Sequence, residues 1–124
     1  MTRLDWNVLD LDYEQEATRI CARLREILAR TLHRRGMVVA ISGGIDSSTC
    51  LGLAVRALGA DKVYALILPE RDSSDDSAAR ARILAEHLGV KVERCDIAPA
   101  LEAIGCYRWR DEAVRRAVPG YGEG

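Results

Sequence analysis

The sequence predicts an α/β domain built on a doubly wound parallel sheet, with strand order 3-2-1. Two observations carry that prediction. Short apolar runs of strand length alternate with segments whose apolar residues recur at helical spacing, so the chain reads α-β-α-β-α-β. Parallel crossovers are right-handed in nearly every case, which arranges three such strands in one progression. The length of 124 residues allows one domain. It also allows a real core, because a chain of this size buries roughly two-thirds of its unfolded surface.

The first element runs from about Asp12 to Arg35. Ala17, Ile20, Leu24, Ile27, Leu28 and Leu32 form one stripe, and Glu14, Arg19, Arg23, Arg25 and Arg30 lie opposite. Gly36 follows His33, Arg34 and Arg35, so glycine is expected to end this helix with cations in its last turn. A one-faced helix must lie against something, either the domain itself or a dimer partner.

Met37-Val38-Val39-Ala40-Ile41 is a continuous apolar run, the pattern of a strand buried on both faces and central in a sheet. A second helix begins near Ser47, with Leu51, Ala54, Val55 and Leu58 as its stripe and Gly59 as its stop. The second strand, Val63 to Leu68, is halted by Pro69. After the polar loop ERDSSDDS, a third helix carries Ala81, Leu84 and Leu88 on one face and ends at Gly89. Ser73 and Asp76 have capping-box spacing at its start. In the third strand, Val90 to Cys95, Val90 and Val92 alternate with Lys91 and Glu93, which suits an edge with one wet face. Two short helices, Pro99 to Ile104 and Arg108 to Val118, complete the pattern. The first strand would be central only with a fourth beside it. The expectation is a Rossmann-like sheet cut off before its later strands, with residues 1–36 as a helical segment and 37–124 as an incomplete nucleotide-binding domain.

Composition narrows the function classes. A net charge of −1 gives no global basic field, so nucleic acid is not an expected partner. No apolar run approaches membrane length. The four cysteines, Cys21, Cys50, Cys95 and Cys106, form no CxxC pair, and His33 and His87 lie far from them, so zinc is not expected. The expected setting is cytoplasmic, with reduced thiols. Lys62 and Lys91 are the only lysines, so no lysine is available to a phosphate loop here.

The chemistry concentrates between the first strand and the second helix. Ser42-Gly43-Gly44 falls at the carboxyl end of the strand and Asp46-Ser47-Ser48 at the amino end of the helix. Such a helix end presents free N–H groups and partial positive charge. Two glycines let the backbone turn sharply and let phosphate oxygens approach, while Ser42, Ser47 and Ser48 add hydroxyls. A carboxylate beside a phosphate repels it unless a cation bridges the two, and Mg²⁺ is the natural bridge. Asp46 therefore reads as a metal ligand, with an N-cap as its structural alternative. The loop is neither a Walker A loop nor GxGxxG.

SGGIDSS after an apolar strand resembles the SGGxDS pyrophosphate loop of the N-type ATP pyrophosphatases. That superfamily includes NAD synthetase, GMP synthetase, asparagine synthetase and the tRNA lysidine and thiolation enzymes. ALGADKVYALILPERDSSDDS is similar to the NAD synthetase segment in which a strand ends in Leu-Pro or Met-Pro before a Ser-Ser loop. VERCDIAPALEAI resembles that family's third strand. The resemblance covers about Tyr13 to Ile104, the amino-terminal half of such an enzyme. It implies ATP-dependent amidation of deamido-NAD to NAD through an adenylated intermediate, with ammonia as nitrogen donor and a homodimer as the assembly. It implies that Ala40, Ile41, Ser42, Gly43, Gly44, Ile45, Asp46 and Ser47 surround the ATP phosphates. Asp46 would ligate Mg²⁺, and Leu68 would lie near the adenosine. No side chain is expected to act as a nucleophile. The alternatives are a tRNA-modifying or GMP-synthetase-like enzyme, or a non-catalytic nucleotide-binding fragment.

Other residues receive plainer readings. Cys50 is expected to be a small buried residue rather than a sulfur carrier. Arg71 and Ser73-Ser74 either reach a nucleotide or form a solvated loop and cap. Arg108, Arg110, Arg115 and Arg116 read as a solvated face.

Overall fold

The structure, a computed structural model, describes residues 10–122. Helix α1 spans Tyr13–Glu26. It starts there because the Asp12 carboxylate accepts a hydrogen bond from the Gln15 N–H at 3.0 Å, and Glu14 and Glu16 favour the positive end of the helix. A π-helical turn, Ile27–Thr31, then carries the chain to Leu32. Gly36 is not the helix stop. His33 takes the left-handed conformation, with φ 51°, at the turn out of the helix. Gly36 answers a different need, since a Cβ there would stand 2.6 Å from the Lys62 carbonyl oxygen.

Strand β1 (Met37–Ala40) leads to helix α2 (Ile45–Leu58), strand β2 (Val63–Ile67), helix α3 (Asp75–His87) and strand β3 (Lys91–Arg94). Helices α4 (Ala98–Ala103) and α5 (Cys106–Ala117) follow. Gly59 and Gly89 close α2 and α3 at φ 86° and 68°, as the sequence suggests. The sheet is parallel with order β1-β2-β3, and Val39 pairs with Ala65 and Ala65 with Val92. Sheet and helices thus form the expected α/β, Rossmann-like arrangement in the expected order.

The core lies on one side of that sheet. Val63, Ala65, Ile67 and Val90 pack with Ile41 against Leu51 and Ala54 of α2 and Ala81 and Ala85 of α3. Leu51, Ala54, Ala65, Ala81 and Ala85 are wholly buried. Helix α1 adds an outer layer against α2. Cys21 is buried there and its thiol donates to the Leu53 carbonyl, while Arg25 donates to the Ala57 carbonyl and Arg56 pairs with Glu14.

The apolar run 37–41 suggests burial on both faces, and the structure buries one. β1 alternates between half-buried and exposed positions, Val38 is 64% exposed, and β2 is the middle strand. The cause is chirality. Both right-handed crossovers advance the same way, so α2 and α3 fall on the same side. Tyr64, on the opposite face, donates to Glu93 at 2.8 Å from a partly exposed position. Among the described residues no helix is long and apolar enough to cross a membrane.

Candidate functional site

A cleft of about 580 Å³ opens at the carboxyl ends of β1 and β2. This is where ligands bind in sheets of this kind. One wall is the β1–α2 loop, with Ala40, Ile41, Ser42, Gly43, Gly44 and Ser47. The other is the β2–α3 connection, including Leu68, Glu70, Asp72, Ser73 and Ser74, together with Ser77 and Arg80 of α3.

The two glycines of the loop do different things. Gly43 has φ 78°, and a Cβ on it would lie 2.4 Å from the Ser77 carbonyl oxygen and 3.2 Å from the Arg80 Cβ. The fold itself therefore demands glycine at 43, because the loop is pressed onto the first turn of α3. At Gly44 a Cβ would meet only the Ser42 hydroxyl, at 3.4 Å, which is ordinary contact. Nothing in the fold requires glycine at 44, and what its missing side chain leaves open is the approach to the helix end.

Gly44 is the N-cap of α2, and no side chain caps that end. The structural alternative for Asp46 is thereby excluded, since Asp46 stands in the first helical turn and not at the cap. The uncapped N–H groups of the first turn have no intrahelical acceptors and suit an anion. The hydroxyls sort themselves. Ser48 and Thr49 donate back to the carbonyls of Gly44 and Ile45, at 2.7 and 2.9 Å, so Ser48 does not serve the cleft as expected. Ser47 Oγ donates to the Gly44 carbonyl and accepts from the Ser42 N–H, both at 3.1 Å. With the Ser47 proton so engaged, the Ser42 hydroxyl donates to Ser47 Oγ at 3.2 Å and accepts from the Gly44 N–H at 3.4 Å, so a ligand would have to draw the Ser42 proton away from Ser47.

Of the residues singled out in the sequence, Ala40, Ile41, Ser42, Gly43, Gly44, Ser47 and Leu68 line the cleft. Ile45 and Asp46 do not line it. Ile45 is 80% exposed and Asp46 is exposed on the same turn. Cys50 is exposed too, contrary to expectation, because Leu51 and Ala54 turn α2 toward the sheet and leave position 50 outside. The helix cap at α3 is Ser74, accepting from the Ser77 N–H, rather than Ser73, which accepts from the Glu70 N–H within the loop. Arg71 stacks on Tyr107, with its guanidinium carbon 4.0 Å from the ring centroid. Arg110 is exposed, as a solvated face implies, and it also pairs with Asp72 across 38 residues. That pairing holds the Asp72 carboxyl below its ordinary range. Arg80 lines the cleft as a cation that the sequence does not distinguish from Arg82.

A three-stranded parallel sheet with a glycine-rich loop at the carboxyl end of β1 defines an α/β protein of the Rossmann-like class. Known proteins narrow the class. The sequence model of the NAD synthase family matches residues 16–117. The chain belongs to the NAD synthase family. It is 50% identical over 117 residues to the NH(3)-dependent NAD(+) synthetase of Mesorhizobium japonicum, covering 94% of this chain and 37% of that protein. Against the same-named protein of Rhizobium meliloti it is 48% identical over 118 residues, covering 95% and 35%. It therefore spans roughly a third of the curated relatives it matches. Among solved structures, the NH3-dependent NAD synthetase of Campylobacter jejuni, in complex with a nitrate ion, superposes with a TM-score of 0.69 at 28% identity, covering 76% of this chain and 40% of that one. A glutamine-dependent NAD+ synthetase of Acinetobacter baumannii, in complex with ADP, gives 0.68 at 26% identity, covering 76% and 18%.

Proposed function

We propose that this chain binds MgATP in the cleft, as the nucleotide-binding part of an ammonia-dependent NAD synthetase, a ligase of NAD biosynthesis. In that reaction the nicotinate carboxylate of deamido-NAD attacks the α-phosphorus of ATP. An acyl–O–P bond forms, the bond to the bridging oxygen breaks, and pyrophosphate leaves. Ammonia then attacks the acyl carbon and AMP leaves, giving NAD. The observation that carries the reading is the uncapped amino end of α2 behind Gly44, open to the cleft inside a sequence that matches the family over residues 16–117.

The chain's own residues contribute binding and positioning. The N–H groups of the loop and the Ser42 hydroxyl, once turned from Ser47, donate to phosphate oxygens, and half-buried Leu68 offers apolar surface to the nucleoside. Fixed donors of this kind stabilise charge that develops on the phosphate without reorganising. Asp46 lies outside the cleft lining, exposed in the first turn of α2, and fits Mg²⁺ only as a single protein ligand reached from the phosphates. The described residues contain no cluster of three metal-ligating acids, cysteines or histidines, while one carboxylate plus phosphate oxygens is a common Mg²⁺ environment. Mg²⁺, when bound there, supplies neutralisation of phosphate charge. The same reading carries a homodimer, which light scattering would detect, and a cytoplasmic setting in keeping with the chain's four free thiols.

Titration calorimetry tests it. MgATP should bind the parent chain, and Asp46→Ala should weaken binding about tenfold or more in Mg²⁺ while leaving metal-free ATP binding unchanged. A parent chain that does not bind MgATP would sink the reading, and an Asp46→Ala chain that binds equally well would remove the metal role. Catalysis is read as NAD, AMP and pyrophosphate formed from deamido-NAD, ATP and ammonia. The open face at Val38 and Tyr64 favours a second reading, a nucleotide-binding module that works only when further polypeptide completes its sheet. It predicts MgATP binding without NAD formation.

A further inference from the structure

Helix α5 has an unusual relation to the core. Tyr107, 6% exposed, is its buried residue, yet Tyr107 is not part of the cluster between sheet and helices. Its ring and hydroxyl go instead to the β2–α3 loop that walls the cleft. The hydroxyl accepts from the Arg71 N–H at 3.1 Å and donates to Glu70 at 3.2 Å, so both of its functions are filled by consecutive loop residues. Arg71 lies over the ring, and Arg110, three positions further along α5, pairs with Asp72. Glu70 and Asp72 are thus two carboxylates on the wall of a cleft whose other wall suits an anion. Left to themselves they repel phosphate and each other.

We infer that α5 is a brace for the nucleotide site, with Tyr107 and Arg110 as positioning residues that hold loop 69–74 against the cleft and engage its two carboxylates. The inference rests on the MgATP reading above. The brace acts in two ways. The Tyr107 hydroxyl fixes the loop backbone at Arg71, and the Arg110 guanidinium offsets the charge that Asp72 would present to a polyphosphate. A ring that served only as packing would leave the hydroxyl unused, so the tyrosine hydroxyl itself is the discriminating atom.

Tyr107→Phe keeps the ring and removes that atom. In the ligand-free chain, hydrogen exchange across residues 69–74 should rise about three- to tenfold, the loss expected for one net hydrogen bond, with exchange in β2 and α3 unchanged. MgATP dissociation should rise by about the same factor. In Arg110→Gln, MgATP should weaken further at low salt and approach the parent at high salt, because the lost contribution is a screened charge. Loop exchange equal in parent and Tyr107→Phe would overturn the brace. So would faster loop exchange with unchanged MgATP affinity, since the tether would then be structural only. A parent that binds no MgATP would instead overturn the proposed function and the positioning role with it, and the ligand-free exchange would separate that result from a missing tether.

Discussion

Replacing Gly43 by alanine should damage the fold, and replacing Gly52 by alanine should help it, although both glycines lie within ten residues of each other in sequence. At Gly43 two costs add. A non-glycine residue at φ 78° costs roughly 1–2 kcal/mol. The new Cβ would also stand 2.4 Å from the Ser77 carbonyl oxygen, a helix backbone atom that cannot rotate aside. Forcing such a contact typically costs about 1–3 kcal/mol. The sum, about 2–5 kcal/mol, is a large part of the roughly 5–15 kcal/mol that stabilises a domain. Gly52 lies inside α2, and a methyl group added to it would meet nothing within 4 Å. Alanine there should gain roughly 0.5–1 kcal/mol from helix propensity. Urea unfolding followed by circular dichroism reads both. The midpoint should fall by about 1–2 M for Gly43→Ala and rise slightly for Gly52→Ala. If Gly43→Ala stayed within about 0.5 kcal/mol of the parent, the close approach of the loop to α3 would be wrong.

Gly44→Ala, which meets no clash, should keep the parent's unfolding midpoint to within about 1 kcal/mol and still weaken MgATP binding, separating ligand space from fold space. Leu51→Ala, at the wholly buried centre of α2, should cost about 2–5 kcal/mol in the same unfolding assay. Arg80→Gln should weaken MgATP several-fold and lessen the salt dependence of binding, measured by calorimetry at two ionic strengths. Acid should act through Glu14, whose carboxyl the Arg56 hydrogen bond and charge hold below its ordinary range. A carboxyl lowered by folding stabilises above its unfolded pKa and stops doing so as pH falls through its folded one, so the unfolding midpoint should drop below about pH 4. Glu14→Gln should flatten that drop modestly, as for any exposed pair.

The elements were legible because each rests on local pattern. Apolar runs of strand length gave β1 and β2, the alternation of Val90 and Val92 with Lys91 and Glu93 gave β3, and Gly59 and Gly89 marked helix ends. The loop was legible because glycine pairs and a helix start are adjacent in sequence. Illegible features depend on which of two near-equivalent neighbours faces inward. Ser74 rather than Ser73 caps α3, Arg80 rather than Arg82 meets the cleft, and Cys50 turns out while Leu51 turns in. About 100° of helical rotation separates Cys50 from Leu51 and about 200° separates Arg80 from Arg82, while Ser73 and Ser74 differ in which of them stands at the helix start. The brace was hidden for another reason. Tyr107 and Arg110 meet residues 36 to 38 positions away, and no local pattern reports a contact at that range. Continuous apolarity in β1 misled about its outer face, since Val38 is as apolar as Val39 yet faces outward.

Strand β1 joins the β1–α2 loop to the rest of the sheet, and the described pairing reaches it from β2 alone. Its position is thus fixed from one side, with a four-residue ladder that ends where Ile41 donates to Leu66. Any polypeptide that pairs along the free edge of β1 narrows the range of positions open to residues 41–45, and so does an anion seated at the start of α2. Where the two events draw on one conformational equilibrium, thermodynamic reciprocity binds them. Whatever factor edge pairing adds to nucleotide affinity, nucleotide returns to edge pairing. Under the proposed function, assembly and ligand capture would then be two readings of a single coupling constant.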